Sequence, residues 1–131
     1  MSDIRNDWQP DGAYILDIVV RTLEDAKAEE IHKLDVRTLT DITDFMVVAS
    51  GTSHRHVSAM AERVRQAARV KQLHPIGVEG EAESDWVLLD YGDLVVHLMT
   101  PQIRKFYDLE GLWDGRLGKL MELERDTLGD L

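Results

Sequence analysis

Gly51-Thr52-Ser53 stands between an apolar, β-branched run and a helical pattern, so its backbone N–H groups and hydroxyls could hold an anion at a helix start. A glycine-serine turn in that setting also opens active sites that transfer nucleotidyl groups, where two carboxylates at i and i+2 on one strand face hold two metal ions. Asp90 and Asp93 are the carboxylates to weigh for that task. They are three apart, Tyr91-Gly92 between them puts Asp93 in a turn, and both lie far downstream of Gly51 beyond an additional strand. The spacing is wrong for a shared metal pair, so Ser53 is read as a helix-capping serine. His54 and His56, two apart on a helix, project about 200° from each other and do not share one ion unaided. His97 lies in an apolar run and reads as a core or interface histidine, while His32 and His74 stand alone. Glu79, Glu81, Glu83 and Asp85 lack the glycine and bidentate pattern of a calcium loop and read as solvated. These residues predict no catalytic group, no metal and no cofactor.

The elements that position them fit one domain. The chain has 131 residues, 44% of them hydrophobic, enough to bury a core at about residues 12–114 with loose tails at 1–11 and 116–131. Its formal net charge of −10 repels phosphate backbones, which argues against general nucleic-acid binding and suits a basic partner or plain solubility. The absence of cysteine excludes a disulfide scaffold, thiolate metal sites and a cysteine nucleophile. The longest apolar run, Phe45 to Ala49, is far too short for a ~30 Å hydrocarbon core, and the polar start of the chain does not resemble a signal peptide. A soluble protein of a reducing, cytoplasmic compartment is expected.

Ile15, Ile18, Val19, Thr22, Leu23 and Ala26 recur at helical spacing after a capping Asp11. Leu34, Val36 and Leu39 suggest a short strand, Thr40 to Thr43 a turn, and Phe45 to Ser50 a strand buried on both faces. Val57, Met60, Ala61, Val64 and Ala68 make the inner stripe of a second helix, which ends ahead of His74-Pro75. Its outer face carries Arg55, Arg63, Arg65, Arg69 and Lys71, a local basic patch in an acidic protein or simply a solvated face. Ile76 and Val78 mark another strand, reached from Phe45–Ser50 by a strand–helix–strand unit that implies a right-handed parallel crossover. Trp86 to Tyr91 and Leu94 to Met99 form a hairpin about Gly92-Asp93, and Pro101 opens a third helix with Ile103, Phe106 and Tyr107.

The result is an α/β fold, a mixed five-stranded sheet with about three helices. Three helices are too few to cover both faces of five strands, yet the last two strands are apolar on both sides. One face of the sheet is therefore expected to be an interaction surface, unless the first helix or the C-terminal segment covers it.

Three motifs carry a resemblance. Asp41-Ile42-Thr43-Asp44-Phe45 with Val48-Ala49-Ser50-Gly51-Thr52-Ser53 resembles the first signature of the ribosomal silencing factor (Iojap-like) family. Gly77-Val78-Glu79-Gly80, Trp86-Val87-Leu88-Leu89-Asp90-Tyr91-Gly92-Asp93 and Val95-Val96-His97 resemble the second, and Phe106-Tyr107-Asp108-Leu109-Glu110 with Leu112-Trp113 the closing motif. The likeness spans roughly residues 15 to 114 in unbroken order. It implies a nucleotidyltransferase-like fold without transferase chemistry, and a homodimer that binds large-subunit ribosomal protein L-fourteen. Occupying that face would block joining of the small and large ribosomal subunits and repress translation under nutrient limitation. The residues it nominates as partner contacts are Trp86, Leu88, Asp90, Tyr91 and Asp93. No membrane and no sequence-specific nucleic acid is expected as partner. The rival readings are a phosphate-binding, nucleotidyltransferase-like enzyme using Gly51-Thr52-Ser53 and a dimeric adaptor working through the basic helix face.

Overall fold

The computed structural model describes residues 12–80 and 84–112. The expected loose tails at 1–11 and 116–131, and residues 81–83 between Gly80 and Asp85, lie outside the described residues. The first apolar stripe becomes α1 (Gly12–Asp25), where Ile15, Val19 and Leu23, each four apart, are buried. The helix closes with Lys27 at φ 65° and the Ala28 N–H donating to the Leu23 carbonyl at 2.9 Å, which satisfies a terminal acceptor.

β1 (Glu29–Asp35) follows at once, earlier than the expected strand around Leu34, Val36 and Leu39. Val36 is fully buried just past its end, and Leu39 sits in the next turn, with its N–H donating to the Val36 carbonyl. β1 is a charged edge strand whose side chains give little apolar alternation. Its pairing with β2, not its hydrophobicity, makes it a strand, and its charges discourage further pairing.

β2 (Phe45–Ser50) is buried along nearly its whole length, as its apolar sequence requires. Gly51 then lets the chain turn tightly into α2 (His54–Val70), since a Cβ there would come within 2.9 Å of Val57 and Met60. Ser53 caps α2, its Oγ accepting from the His56 N–H at 3.1 Å, and Val57, Met60, Ala61, Val64 and Ala68 are the buried stripe. The remaining elements are β3 (Gly77–Glu79), β4 (Trp86–Asp90), β5 (Leu94–Met99), α3 (Pro101–Tyr107) and the single turn α4 (Leu109–Leu112).

Among the described residues one five-stranded sheet forms, in the order β1-β2-β5-β4-β3. β2 runs parallel to β5, and the other neighbours are antiparallel. The strand–helix–strand unit does join strands of one direction, but β2 and β3 are not neighbours: the β4–β5 hairpin lies between them. Ile76 stays outside the short edge strand and is exposed, only its N–H joining the sheet by donating to the Asp90 carbonyl. At the hairpin, Gly92 takes φ +86°, a conformation open to glycine at little cost.

Strand alternation splits the sheet into two faces. Val47, Ala49, Val87, Leu89, Leu94, Val96 and Leu98 point to α1 and α2 and form the main core. Met46, Val48 and Met99 point the other way, where Leu34, Trp86, Ile103 and Leu109 pack over them. The second face is therefore not bare: α3 and α4 roof the part beside β1, β2 and Trp86.

Candidate protein-interaction face

The residues of β4 that point away from α1 and α2 are Trp86, Leu88 and Asp90, all partly buried and paired across the hairpin with Met99, His97 and Val95. Trp86 sits where the strand face meets α3. Its ring centroid is 5.0 Å from that of Tyr107 and 5.7 Å from that of His97, both tilted, and Phe106 meets Tyr107 edge-on at 4.9 Å. Phe106 is 77% exposed and Tyr107 52%, an unusual display of aromatic surface for a small acidic protein.

Trp86 is held in register by polar chemistry. Its Nε1–H donates to His97 Nδ1 at 2.9 Å. An indole nitrogen can only donate, so Nδ1 must be unprotonated and the ring proton sits on Nε2. Burial drives the His97 pKa down to about 4, which keeps the ring neutral and the acceptor available at physiological pH.

α3 in turn is clasped to the far edge of the sheet. Arg104 is buried, and its guanidinium donates to Glu110 through Nε at 3.1 Å and Nη2 at 2.6 Å, and through Nη1 to Ser50 Oγ at 2.9 Å. Glu110 also meets His32 of β1. Burial by itself would raise the Glu110 carboxyl, but the Arg104 hydrogen bonds and charge, with His32 adding, hold it below its ordinary value. One bidentate arginine thus ties α3, α4, β1 and β2 into the frame that carries Phe106 and Tyr107.

The five nominated contact residues do not share this face. Trp86, Leu88 and Asp90 do. Asp90 is committed locally, its Oδ1 accepting from the Gly92 N–H at 2.8 Å across the hairpin turn. Asp93 is exposed at the turn, where its carbonyl accepts from the Asp44 and Phe45 N–H groups. Tyr91, past the strand end, is 8% exposed within the core on the opposite side, among the residues under α1 and α2. Five positions separate it from Trp86, and alternation sends them apart. Burial raises the Tyr91 phenol, and the Arg65 and Arg69 cations pull it partly back. Arg65 accordingly is not a free member of the outer basic face: it is partly buried, and its Nε has no partner. Arg55, Arg63, Arg69 and Lys71 are exposed as expected.

Phe106 and Tyr107 are not among the contacts that the resemblance nominates. Two adjacent aromatics on a helix cannot both turn to one core, and that spacing is the signal the sequence carries for their exposure. His54 and His56 are locally engaged as well. His56 Nδ1 accepts from the Thr52 N–H at 2.9 Å while Nε2–H donates to the Ala26 carbonyl at 2.9 Å, and His54 Nε2 meets the Asp85 carboxylate. Among the described residues no three histidine, aspartate or glutamate side chains group as a metal site.

Residues 10–129 match the sequence profile of the family described as "Ribosomal silencing factor during starvation". The chain is 40% identical over 99 residues to "Ribosomal silencing factor RsfS" of Chromobacterium violaceum, covering 76% of this chain and 81% of the relative. It is 32% identical over 118 residues to the mouse "Mitochondrial assembly of ribosomal large subunit protein 1", covering 86% of this chain and 52% of that one. A crystal structure of a Chromobacterium violaceum protein superposes with a TM-score of 0.74 at 40% identity, covering 76% of this chain and 82% of that chain. A second, from Bacillus halodurans, gives 0.69 at 32% identity, covering 76% and 92%.

Proposed function

The chain belongs to the ribosomal silencing factor family, and from that premise we propose that it binds the large ribosomal subunit through ribosomal protein L-fourteen and occupies volume the small subunit needs. Subunit joining is then blocked sterically and translation is repressed when nutrients are short. No bond is made or broken, and the protein is a regulator in the cytoplasm, not an enzyme.

The observation that carries this reading is the aromatic face of Trp86 and Tyr107, with Phe106 and Leu88 beside it. Interface anchors are typically aromatics that present a large apolar body with a polar handle, and Trp86 is already pre-organised by His97. A net charge of −10 suits a basic ribosomal protein, because opposite charge steers encounter and fixes register. In this arrangement Trp86, Leu88 and Tyr107 form the centre, Asp90 and Asp93 lie toward the rim, and Tyr91 supports the strand from beneath. The protein acts as a homodimer, which gives the apolar surface left around α3 a second use.

Sedimentation through a sucrose gradient with isolated subunits tests the proposal. The protein should travel with large subunits and not with small ones; travel with small subunits alone, or with neither, overturns it. Light scattering should give a mass near twice 14.9 kDa.

A further inference from the structure

The open face carries carboxylates as well as aromatics, and the sheet register lines them up. Trp86, Leu88 and Asp90 follow one another along β4 at roughly 7 Å intervals, two residues apart. Glu79 of β3 stands directly opposite Leu88, so its side chain shares that face, and it is exposed. Asp90 spends one oxygen on the Gly92 N–H, and its Oδ2 has no partner among the described residues. A strip therefore runs from Phe106 and Tyr107 past Trp86 and Leu88 to Glu79 and Asp90. Rings lie at one end and carboxylates at the other.

The rings are open to a cation. Phe106 is 77% exposed, so at least one face of its ring is bare, and Tyr107 beside it is half exposed. An open π face attracts a cation through its quadrupole. Among the described residues no cation of this chain takes that place. Arg104 is turned inward to Glu110 and Ser50, and Lys105 projects about 100° round the helix from Phe106. The chain shows elsewhere what a filled site of this kind looks like. Arg37 lies over the Phe45 ring, 5.0 Å from its centroid, while its Nε and Nη2 donate to the Asp35 carboxylate at 3.0 and 2.6 Å.

The carboxylates decide what class of partner fits. Glu79 and Asp90 repel a phosphate backbone, so stacked nucleic-acid bases do not suit this face. Either basic side chain satisfies the carboxylates, and the rings distinguish the two. A guanidinium is planar and weakly hydrated, stacks on an aromatic face and takes a carboxylate through two N–H groups. An ammonium is a compact, strongly hydrated charge that does neither as well.

We propose that this strip reads arginine: one arginine of the partner protein stacks on Phe106 and Tyr107, a second pairs with Glu79, and arginine-rich segments are thereby selected over lysine-rich ones. This rests on the reading that a basic protein binds the open face, and it adds which cation that protein presents.

Aromatic-region NMR of the full chain, titrated in parallel with octa-arginine and octa-lysine at physiological ionic strength, tests the proposal. Octa-arginine should bind about tenfold more tightly, the scale of one favourable stacking contact, with shifts centred on the Phe106 and Tyr107 rings. The double variant Phe106→Leu, Tyr107→Leu keeps the charge and much of the apolar area but has no π faces, so the preference should vanish. Glu79→Gln should weaken octa-arginine several-fold. Equal affinity for the two peptides, a preference that survives loss of both rings, shifts centred on another face, or no effect of Glu79→Gln overturns the proposal. If the double variant fails to fold, Phe106→Leu alone decides, since that ring lies largely outside the packed surface. It should cut the preference about threefold, and an unchanged preference overturns the proposal. Sedimentation separates this outcome from that of the underlying reading. A folded double variant that still travels with large subunits as the native chain does overturns arginine stacking and leaves ribosome binding in place. A native chain that prefers octa-arginine yet travels with neither subunit removes the ribosome as partner and supports the arginine-reading surface.

Discussion

The two faces of the sheet are built from the same strands and do different work. On the face under α1 and α2, residues such as Leu89, Val96 and Leu98 are completely buried, closed over by two helices of 14 and 17 residues. On the other face the cover is a seven-residue helix and a single turn, and the aromatics at its edge stay open. Alternation along β4 assigns neighbouring residues to opposite fates: Val87 and Leu89 go to the core, Trp86 and Leu88 to the open side. Similar residue types therefore stabilise the fold on one face and are available for recognition on the other.

Several substitutions put that contrast at risk, the strongest being the pair Leu89→Ala and Leu88→Ala. Leu89 is fully buried, and its truncation should cost ~2–5 kcal/mol by chemical denaturation. Leu88→Ala, on the open side, should cost less than about 1.5 kcal/mol while weakening subunit binding. Equal losses of stability would erase the distinction between the faces.

His97 gives the open face a pH signature. Its pKa is about 4 in the folded protein against an ordinary value of 6.5. Between these values the unfolded chain takes up a proton that the folded ring refuses, so stability falls as pH falls from 6.5 toward 4. The contribution is on the order of 3 kcal/mol across that window, and nothing is lost from this group at pH 7. His97→Gln keeps an acceptor for Trp86 but cannot titrate, so its stability should fall less steeply in urea melts at stepped pH. Identical slopes in both proteins would remove His97 as the cause.

Binding effects come next. Folded Trp86→Ala or Tyr107→Ala should weaken large-subunit binding about thirtyfold, or ~2 kcal/mol, in a competition assay. Tyr91→Phe, which removes a buried hydroxyl that lacks a partner, should leave binding intact and stability unchanged or slightly higher. If Tyr91→Phe weakens binding more than Trp86→Ala does, the partner sits on the helix-covered side. The smallest effect belongs to Asp93→Asn at the exposed turn, which should slow association and flatten its salt dependence with little change in dissociation.

Much of this arrangement was legible in the residues themselves. The inner stripe of α2, the Ser53 cap and the turn at Gly92 follow from local rules: 3.6-residue periodicity, a hydroxyl placed before the first helical turn, and the φ that glycine tolerates. Each is settled within a few positions of chain, so a linear reading suffices. β1 escaped because an edge strand can be charged on most positions and still be held by backbone hydrogen bonds to a partner ten or more residues away.

What the tertiary structure decided is of the same non-local kind. Sequence alternation puts Trp86 and Tyr91 on opposite faces, but which face is sealed depends on where α1 and α2 pack. The insertion of the hairpin between β2 and β3 set the strand order, and with it the place of Glu79 beside Leu88. Arg104 meeting Ser50 and Glu110, and Trp86 meeting Tyr107, join residues far apart in the chain whose proximity no periodicity encodes. Apart from β1, the elements and the chemistry each could offer follow from the sequence alone, because propensity and pattern act over short spans. Only three-dimensional packing decided which of those groups are buried and which remain free to meet a partner, because burial is a property of what lies on the other side of a side chain.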